Sequence, residues 1–330
     1  MWGKFLPLLI PFLILSIENS SAQESKSKKI FKIGVTQTAS HPDFDADAKG
    51  FEKALADGGF KEGNQVTFLR QNAKNDIIQA QIITQKFIDT KVDLIHSIAT
   101  LTSQTVMKRI KDVPIVFSSV TNPLGAGLVP KTSLPGTKSG TNVTGVSDRW
   151  SIDPQFEMYT KFFPKAKRWG TIYNGKDPRS LRRIKEVRKI AARLGVEMIE
   201  ATISKSEETM QAAQFLTGKV KAIYILPDRT ASVSFDAIVK VCNEKKVPLF
   251  ASDVSNVSRG AMAAYGVDYF LIGYSAGRKA VQILNGESPG DIPWGPAERL
   301  SLVINEKAAK HQGVVIPPDL LKKADKVIRN

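Results

Sequence analysis

The fold is decided by a pair of apolar segments that occurs once in each half of the chain, in the same order. Residues 91–95 read KVDLI and residues 113–119 read VPIVFSS. In the second half of the chain, residues 219–224 read KVKAIY and residues 247–253 read VPLFASD. Each segment is a short apolar run typical of a strand that is covered on both faces. The repetition predicts two similar lobes, each a parallel sheet wrapped by helices.

The flanking sequence extends the same plan on both sides. Residues 29–36 (KIFKIGVT) and 167–174 (KRWGTIYN) supply the first strand of each lobe. Helical patterns follow at about 49–55 and 77–87, and again at 179–194. Strands that alternate with helices indicate an α/β fold with two doubly wound parallel-sheet lobes.

Composition and charge exclude several classes of protein. The 330 residues are 24% charged and 42% apolar, which disfavours disorder, collagen and a membrane bundle. The 47 Lys and Arg against 32 Asp and Glu give a net charge of +15. The densest basic run, 179–189, has Leu181, Ile184 and Val187 at helical spacing, which predicts an amphipathic helix with a solvated basic face. No basic arm with interleaved aromatic residues is present, so we expect no nucleic-acid partner.

The N-terminus predicts export. Lys4 precedes an uncharged apolar run at 5–17 that contains two prolines and is short for a membrane span. Ser20-Ser21-Ala22 has the small residues of a signal-peptidase site. We therefore expect a signal peptide at 1–22, cleavage after Ala22 and a periplasmic location. No cysteine lies near that site, so we expect no lipid anchor.

Few residues could support metal or cofactor chemistry. Cys242 is the single cysteine and reads as a buried residue on a helix. The three histidines, His41, His96 and His311, are too far apart in sequence to form a ligand pair, so we expect no metal site. Residues 125–127 (GAG) lack the third glycine of a dinucleotide loop, and the Gly-x-Ser-x-Gly spacing is absent. We expect neither a cofactor nor a catalytic residue.

Ligands of open α/β sheets bind beyond the carboxyl ends of the strands, so two facing lobes predict a cleft lined by strand-end loops. Hydroxyls and free N–H groups at helix starts suit a carboxylate, and Asp228 and Asp253 suit an ammonium group. Such a pair of subsites fits a zwitterionic amino acid. The candidate ligand-binding residues are Thr36, Gln37, Ala99, Thr100, Thr102, Ser118, Ser119, Thr121, Asn122, Tyr173, Asn174, Asp228, Asp253 and Tyr265. Phe44 and Phe117 join Tyr173 and Tyr265 as candidates for packing the solute side chain.

The chain resembles the bacterial ABC-transporter substrate-binding proteins of the tryptophan/tyrosine-binding type. The resemblance covers nearly the whole chain after the predicted signal peptide, and it depends on the combination of pieces rather than on any one of them. The matching pieces include residues 32–37 (KIGVTQ), 92–95 (VDLI), 113–117 (VPIVF), 142–147 (NVTGVS), 250–253 (FASD) and 266–269 (GVDY).

The resemblance implies a type I periplasmic binding fold with a three-strand hinge between the lobes. It implies crossings near 145–150, 253–257 and 287–293. The lobes are then 23–147 plus 256–288 and 148–255 plus 289–330. The implied function is the exported solute-binding component of an ABC importer. We expect a monomer that closes around an aromatic or branched amino acid and delivers it to a membrane permease.

The resemblance also implies roles for particular residues. Asp253 is expected to contact the ammonium group. Arg229 stands where the family pattern has Asn. Two interpretations stay open: this extra cation at the cleft rim favours a more acidic solute, or its side chain points to solvent. The implied carboxylate contacts are Thr100, Thr102, Ser119 and Thr121. Two alternatives stay open: a ligand sensor that presents the same closed shape to a receptor, and a hydrolase that uses the cleft.

Overall fold

The computed structural model describes residues 1–3 and 29–329. The predicted signal peptide, apart from its first three residues, and its cleavage after Ala22 lie outside the described residues. The chain forms two lobes, each built on one sheet.

The first sheet has six strands in the order β11-β5-β4-β3-β1-β2, and all of its neighbours pair in parallel. The reversal of strand order between β1 and β3 is the switch point of a doubly wound sheet. The strands are β1 (Phe31–Gln37), β2 (Val66–Asn72), β3 (Leu94–Ile98), β4 (Ile115–Ser118), β5 (Val143–Ser147) and β11 (Gly295–Pro296).

The second sheet has seven strands in the order β13-β12-β10-β9-β8-β6-β7. Its strands β7-β6-β8-β9-β10 repeat the order β2-β1-β3-β4-β5, which supports the repeat predicted from the sequence. The pair β10 and β12 is antiparallel. The strands are β6 (Arg168–Asn174), β7 (Glu197–Ile203), β8 (Ala222–Ile225), β9 (Leu249–Ala251), β10 (Ala263–Gly266), β12 (Ser301–Asn305) and β13 (Lys326–Ile328).

Helices cover both faces of each sheet. They are α1 (Pro42–Asp57), α2 (Ile77–Thr90), α3 (Thr100–Arg109), α4 (Ile152–Thr160), α5 (Pro178–Arg193), α6 (Thr209–Thr217), α7 (Arg229–Val233), α8 (Phe235–Lys245), α9 (Tyr269–Leu284), α10 (Glu306–His311) and α11 (Pro318–Lys323). The helix that follows the first strand of each lobe begins in the same way. Proline at the first turn fixes a helical φ, and His41 or Asp177 caps the helix by accepting a backbone N–H.

The helix pair α1 and α9 packs backbone to backbone in the first lobe. Gly273 lies so close to α1 that an added Cβ would overlap the carbonyl oxygen of Asp47, and Gly50 meets Phe270 in the same way. Small residues are therefore required on both helices. This contact fixes α9 to the first lobe although it follows a strand of the second.

The sheets correct two of the three expected crossings. The chain passes between the lobes at 148–151, as expected, but then at 267–268 and 297–300. Residues 263–266 belong to the second sheet because β10 pairs with both β9 and β12. Residues 295–296 belong to the first sheet because β11 pairs with β5, and Trp294 lies in the first-lobe core. The lobe boundaries expected at 255/256 and 288/289 therefore move towards the C-terminus.

Candidate functional site

The carboxyl ends of the two sheets face each other across a cleft. Asp43, in the first turn of α1, belongs to the first lobe, and Asp253, after β9, belongs to the second; the two are close enough for the charge of Asp253 to act on the Asp43 carboxyl. Burial, followed by the negative charge of Asp253, raises the pKa of Asp43 to about 6, while His41 opposes the shift. The cleft therefore brings two carboxylates together; His41 Nδ1 lies 3.4 Å from Asp43 Oδ2, and Arg229 lines the same cavity as Asp253.

A buried aspartate anchors the strand ends of the first lobe. Asp47 is fully buried in α1; its Oδ1 accepts a hydrogen bond from Ser118 Oγ at 2.9 Å, and its Oδ2 accepts one from Ser119. His96 Nε2 lies 2.8 Å from Ser118 Oγ, and its ring stacks on Phe51. Ser118 and Ser119 were candidates for ligand contact. Their hydroxyls instead point inward to Asp47.

Three other candidates are either bonded within the first lobe or, in the case of Thr36, buried with a hydroxyl oxygen that has no hydrogen-bond partner among the described residues. Thr102 is buried and donates to Ile98 O at 2.7 Å, because the hydroxyl of a helical threonine reaches the carbonyl one turn back. Thr36 is fully buried. Gln37 donates to Asp45 Oδ1 at 2.9 Å. The expected carboxylate contact of Thr102 is therefore not supported.

The start of α3 remains available to a ligand. Ala99 has φ 71° and ψ 171°, a strained backbone for a residue with a Cβ, and it gives α3 no side-chain cap. Thr100 is exposed at the first position of the helix. The first N–H groups of a helix attract anions. At this helix start Thr102 N donates to Thr38 Oγ1 at 3.5 Å, and the ligand roles of Ala99 and Thr100 stay predictions.

In the second lobe, Asp228 has its hydrogen-bonding capacity filled by the protein. It is 3% exposed and accepts from Asn174 N at 2.7 Å, Ser180 Oγ at 2.6 Å and Ala231 N at 2.8 Å. Asn174 in turn donates to Thr230 Oγ1. Because three donors surround this buried carboxylate, Asp228 and Asn174 hold the strand-end loops together. The expected ammonium contact of Asp228 is therefore not supported.

Asp253 differs from Asp228 in this respect. Its Oδ1 accepts from Ser255 N at 2.9 Å, and its Oδ2 has no hydrogen bond to a described residue. The half-buried carboxylate lines a cavity of 270 Å³ between the lobes. The other lining residues are Trp150, Pro227, Asp228, Arg229, Ser232, Ser252, Asn256, Val267 and Tyr269.

The aromatic candidates lie away from this cavity. Tyr173 is 3% exposed, and its hydroxyl donates to Glu200 at 2.7 Å. Burial, followed by Glu200, raises the pKa of Tyr173 to about 12. Phe117 is buried in the first-lobe core. Tyr265 lines a neighbouring cavity of 670 Å³ beside the crossings, which shares Trp150 with the Asp253 cavity. The aromatic lining of the Asp253 cavity therefore comes from other residues.

The crossing segments supply residues that the sequence interpretation missed. Trp150, in the first crossing, and Tyr269, the first residue of α9 directly after the second crossing, line the Asp253 cavity. The Tyr269 hydroxyl donates to Asp148 Oδ2 at 3.2 Å, and Asp148 Oδ1 is buried with no hydrogen-bond partner among the described residues. Burial raises the pKa of Asp148. The segment GVDY at 266–269, already part of the resemblance, was the available signal.

Thr121 and Asn122 are exposed after β4, where they line a third cavity with several arginines.

Among residues 1–3 and 29–329, no helix has the length and apolarity needed to cross a membrane. The same residues contain no cluster of three His, Cys, Asp or Glu side chains suited to a metal ion.

Comparison with known proteins identifies close similarities along most of the chain. The sequence model for ABC transporter substrate binding proteins matches residues 32–328. A tyrosine-binding protein of Clostridioides difficile (strain R20291) is 40% identical over 294 residues, which are 88% of this chain and 84% of that protein.

Solved structures agree with the fold. A ligand-free, open structure of a substrate-binding protein with adhesive properties from Clostridium difficile has 36% identity and a TM-score of 0.80, and covers 91% of this chain and 100% of that one. An ABC domain in complex with L-Trp from Streptococcus pneumonia has 31% identity and a TM-score of 0.68, with the same coverage. The expected type I periplasmic binding fold is confirmed.

Proposed function

The chain belongs to the family of ABC transporter substrate-binding proteins, and we propose that it binds an aromatic amino acid in the interlobe cleft and delivers it to a membrane permease from the periplasm. The observation that carries this proposal is the approach of Asp43 and Asp253 from opposite lobes. Two facing carboxylates favour a cation between them, and an α-ammonium group supplies one. The names of the tyrosine-binding relative and of the L-Trp complex support the choice of an aromatic amino acid.

The remaining parts of the solute have complementary partners. The α-carboxylate fits the start of α3, where N–H groups and the Thr100 hydroxyl are accessible. The aromatic ring fits beside Trp150 and Tyr269, which add apolar area to the Asp253 cavity. The ammonium group, between Asp43 and Asp253, then connects the two lobes.

Such a solute favours the closed form. It contacts both lobes fully only when they approach, so it shifts the open–closed equilibrium by its differential affinity for the two forms. The three crossings, 148–151, 267–268 and 297–300, are the segments that must bend. A permease can then distinguish the loaded protein from the empty one by shape.

The geometry gives little support to a hydrolase. Asp47, His96 and Ser118 are neighbours, but Asp47 Oδ1 and Ser118 Oγ both approach the same atom, His96 Nε2. A nucleophile triad requires the acid and the hydroxyl on opposite ring nitrogens. The Ser118 side chain is also fully buried beneath the strand ends. This cluster therefore serves as an anchor.

Calorimetric titration of the purified protein, unfolded and refolded to remove bound solute, tests the proposal. The ligands are tryptophan, tyrosine, phenylalanine, leucine and glutamate. We expect tight one-to-one binding of an aromatic member. Tyramine, which lacks the carboxylate, and the desamino analogue of tyrosine, which lacks the ammonium group, should each bind much more weakly, because each leaves one charged subsite unpaired.

Absence of binding across the five amino acids would refute the amino-acid assignment. Equal binding of tyrosine and its desamino analogue would refute the role of Asp43 and Asp253 while leaving the aromatic pocket in place.

A further inference from the structure

A third cavity, of 490 Å³, lies at the rim of the cleft and is strongly basic. Two of its arginines are paired with carboxylates that line the same cavity: Arg179 with Asp177 at 3.1 Å and Arg183 with Glu186 at 3.2 Å. The other lining arginines are Arg149, Arg182 and Arg229.

These three arginines form no ion pair with any residue in the described part of the chain. They come from separate elements: Arg149 from the first crossing, Arg182 from α5 and Arg229 from the start of α7. Thr121 and Asn122 of the first lobe face them. A solvated basic surface usually spreads along one helix, whereas this group converges on one cavity from three directions.

Without a bound anion, the convergence of Arg149, Arg182 and Arg229 makes closure of the lobes unfavourable. Closure narrows the cavity and removes water from like charges, which raises their mutual repulsion. An anion placed among the guanidinium groups offsets this cost through charge-assisted, potentially bidentate hydrogen bonds. Loading the cavity with an anion therefore promotes the closed form.

The cavity adjoins the one proposed for the amino acid. Pro227 and Arg229 line both cavities, so one solute can extend from Asp253 to the arginines. We propose that Arg149, Arg182 and Arg229 form a second, anion-binding subsite, and that the preferred solutes are aromatic amino acids with an additional acidic group. This inference rests on the proposed function, since the amino acid end must be held in the first cavity.

Matched pairs of ligands test it by calorimetry. The pairs are L-phenylalanine with para-carboxy-L-phenylalanine, and L-tyrosine with O-phospho-L-tyrosine. In the wild-type protein the anionic member should bind at least about tenfold more tightly in one pair, the gain typical of a charge-assisted contact. Arg182→Gln and Arg229→Gln should each lower that ratio towards one. Lys185→Gln, which removes an exposed charge of α5 outside the cavity, is the matched control and should keep the wild-type ratio.

The outcomes separate the two proposals. If no amino acid binds, the proposed function fails and this inference fails with it. If amino acids bind but the anionic and neutral members are equal in both pairs, only the anion subsite is overturned. If the arginine variants lose the same affinity for the anionic and the neutral member, the arginines contact the α-carboxylate. That result also overturns the anion subsite. If inorganic phosphate competes with the anionic ligand at the same concentration, the arginines bind a free anion and not an acidic group of the solute. That result would also overturn the inference.

Discussion

Each lobe contains a buried aspartate at its cleft edge, but the two aspartates are satisfied in different ways. Asp47 of the first lobe is held by the side chains of Ser118 and Ser119, beside His96. Asp228 of the second lobe is held mainly by backbone N–H groups, from Asn174 and Ala231, and by Ser180. Both carboxylates organise loops. The comparison shows that burial with complete hydrogen bonding marks an anchor, whereas Asp253, which keeps one oxygen without a described partner, suits a ligand.

Replacing Asp47 should lower the stability of the protein more than replacing Asp228. Asp47→Ala leaves the buried hydroxyls of Ser118 and Ser119 without their acceptor and removes the carboxylate beside His96, so we expect a loss of about 3–5 kcal/mol in the free energy of unfolding. Asp228→Ala should cost about 2–3 kcal/mol, because it leaves the buried Ala231 N and Ser180 Oγ without their acceptor, while the part-buried Asn174 N can reach water. Urea unfolding followed by circular dichroism measures both.

Lys189→Ala, an exposed position on α5, is the control and should stay within about 0.5 kcal/mol of the wild type. If Asp47→Ala costs less than about 1 kcal/mol, Asp47 is not an anchor and the contrast with Asp253 loses its basis.

Asp253→Asn should weaken binding of the aromatic amino acid by about 2–5 kcal/mol, because the bound ammonium group loses its charged partner in a desolvated cleft. Calorimetry gives the affinity, and circular dichroism checks the fold. The control is Asp236→Asn, which removes a carboxylate that is 79% exposed and pairs with Arg259. Unchanged affinity in a folded Asp253→Asn variant would remove Asp253 from the site.

The raised pKa of Asp43 predicts pH-dependent binding. Burial and Asp253 raise it to about 6, with smaller contributions from Asp148 and Asp268 and an opposing one from His41. An ammonium group prefers ionised Asp43, so affinity should fall up to about tenfold between pH 7 and pH 5. Calorimetry at both pH values measures this, and Asp43→Asn should abolish the dependence.

The stability of the ligand-free protein should depend on pH in the opposite direction to the affinity. A carboxyl whose pKa is higher in the folded state contributes stability that is complete below its unfolded pKa of 3.8 and is lost as the pH rises through about 6. Affinity that rises on acidification would contradict an ammonium group beside Asp43.

The sequence predicted the lobes well because strand burial and repetition are local signals. It could not separate Asp228 from Asp253, since both follow a short buried strand. The difference depends on Asn174 and Ser180, which lie 54 and 48 residues before Asp228 and reach it only through the fold. The crossings near 256 and 289 were wrong because β10 and β11 are only four and two residues long and carry little pattern of their own.

Tyr173 gives the prediction with the smallest expected effect, and it tests whether hydrogen bonding within the fold separates structural residues from ligand-binding ones. It ends a strand at the cleft edge, as a ligand-binding aromatic would, yet its ring packs in the second-lobe core and its hydroxyl donates to Glu200, which also accepts from Arg188. Tyr173→Phe should therefore lower the free energy of unfolding by about 1 kcal/mol through the lost hydrogen bond. It should leave affinity for the aromatic amino acid within about twofold. Calorimetry and urea unfolding on one preparation measure both effects. A tenfold loss of affinity with unchanged stability would mean that Tyr173 turns into the cleft on closure, and position at a strand end would then predict ligand contact better than hydrogen-bond saturation does.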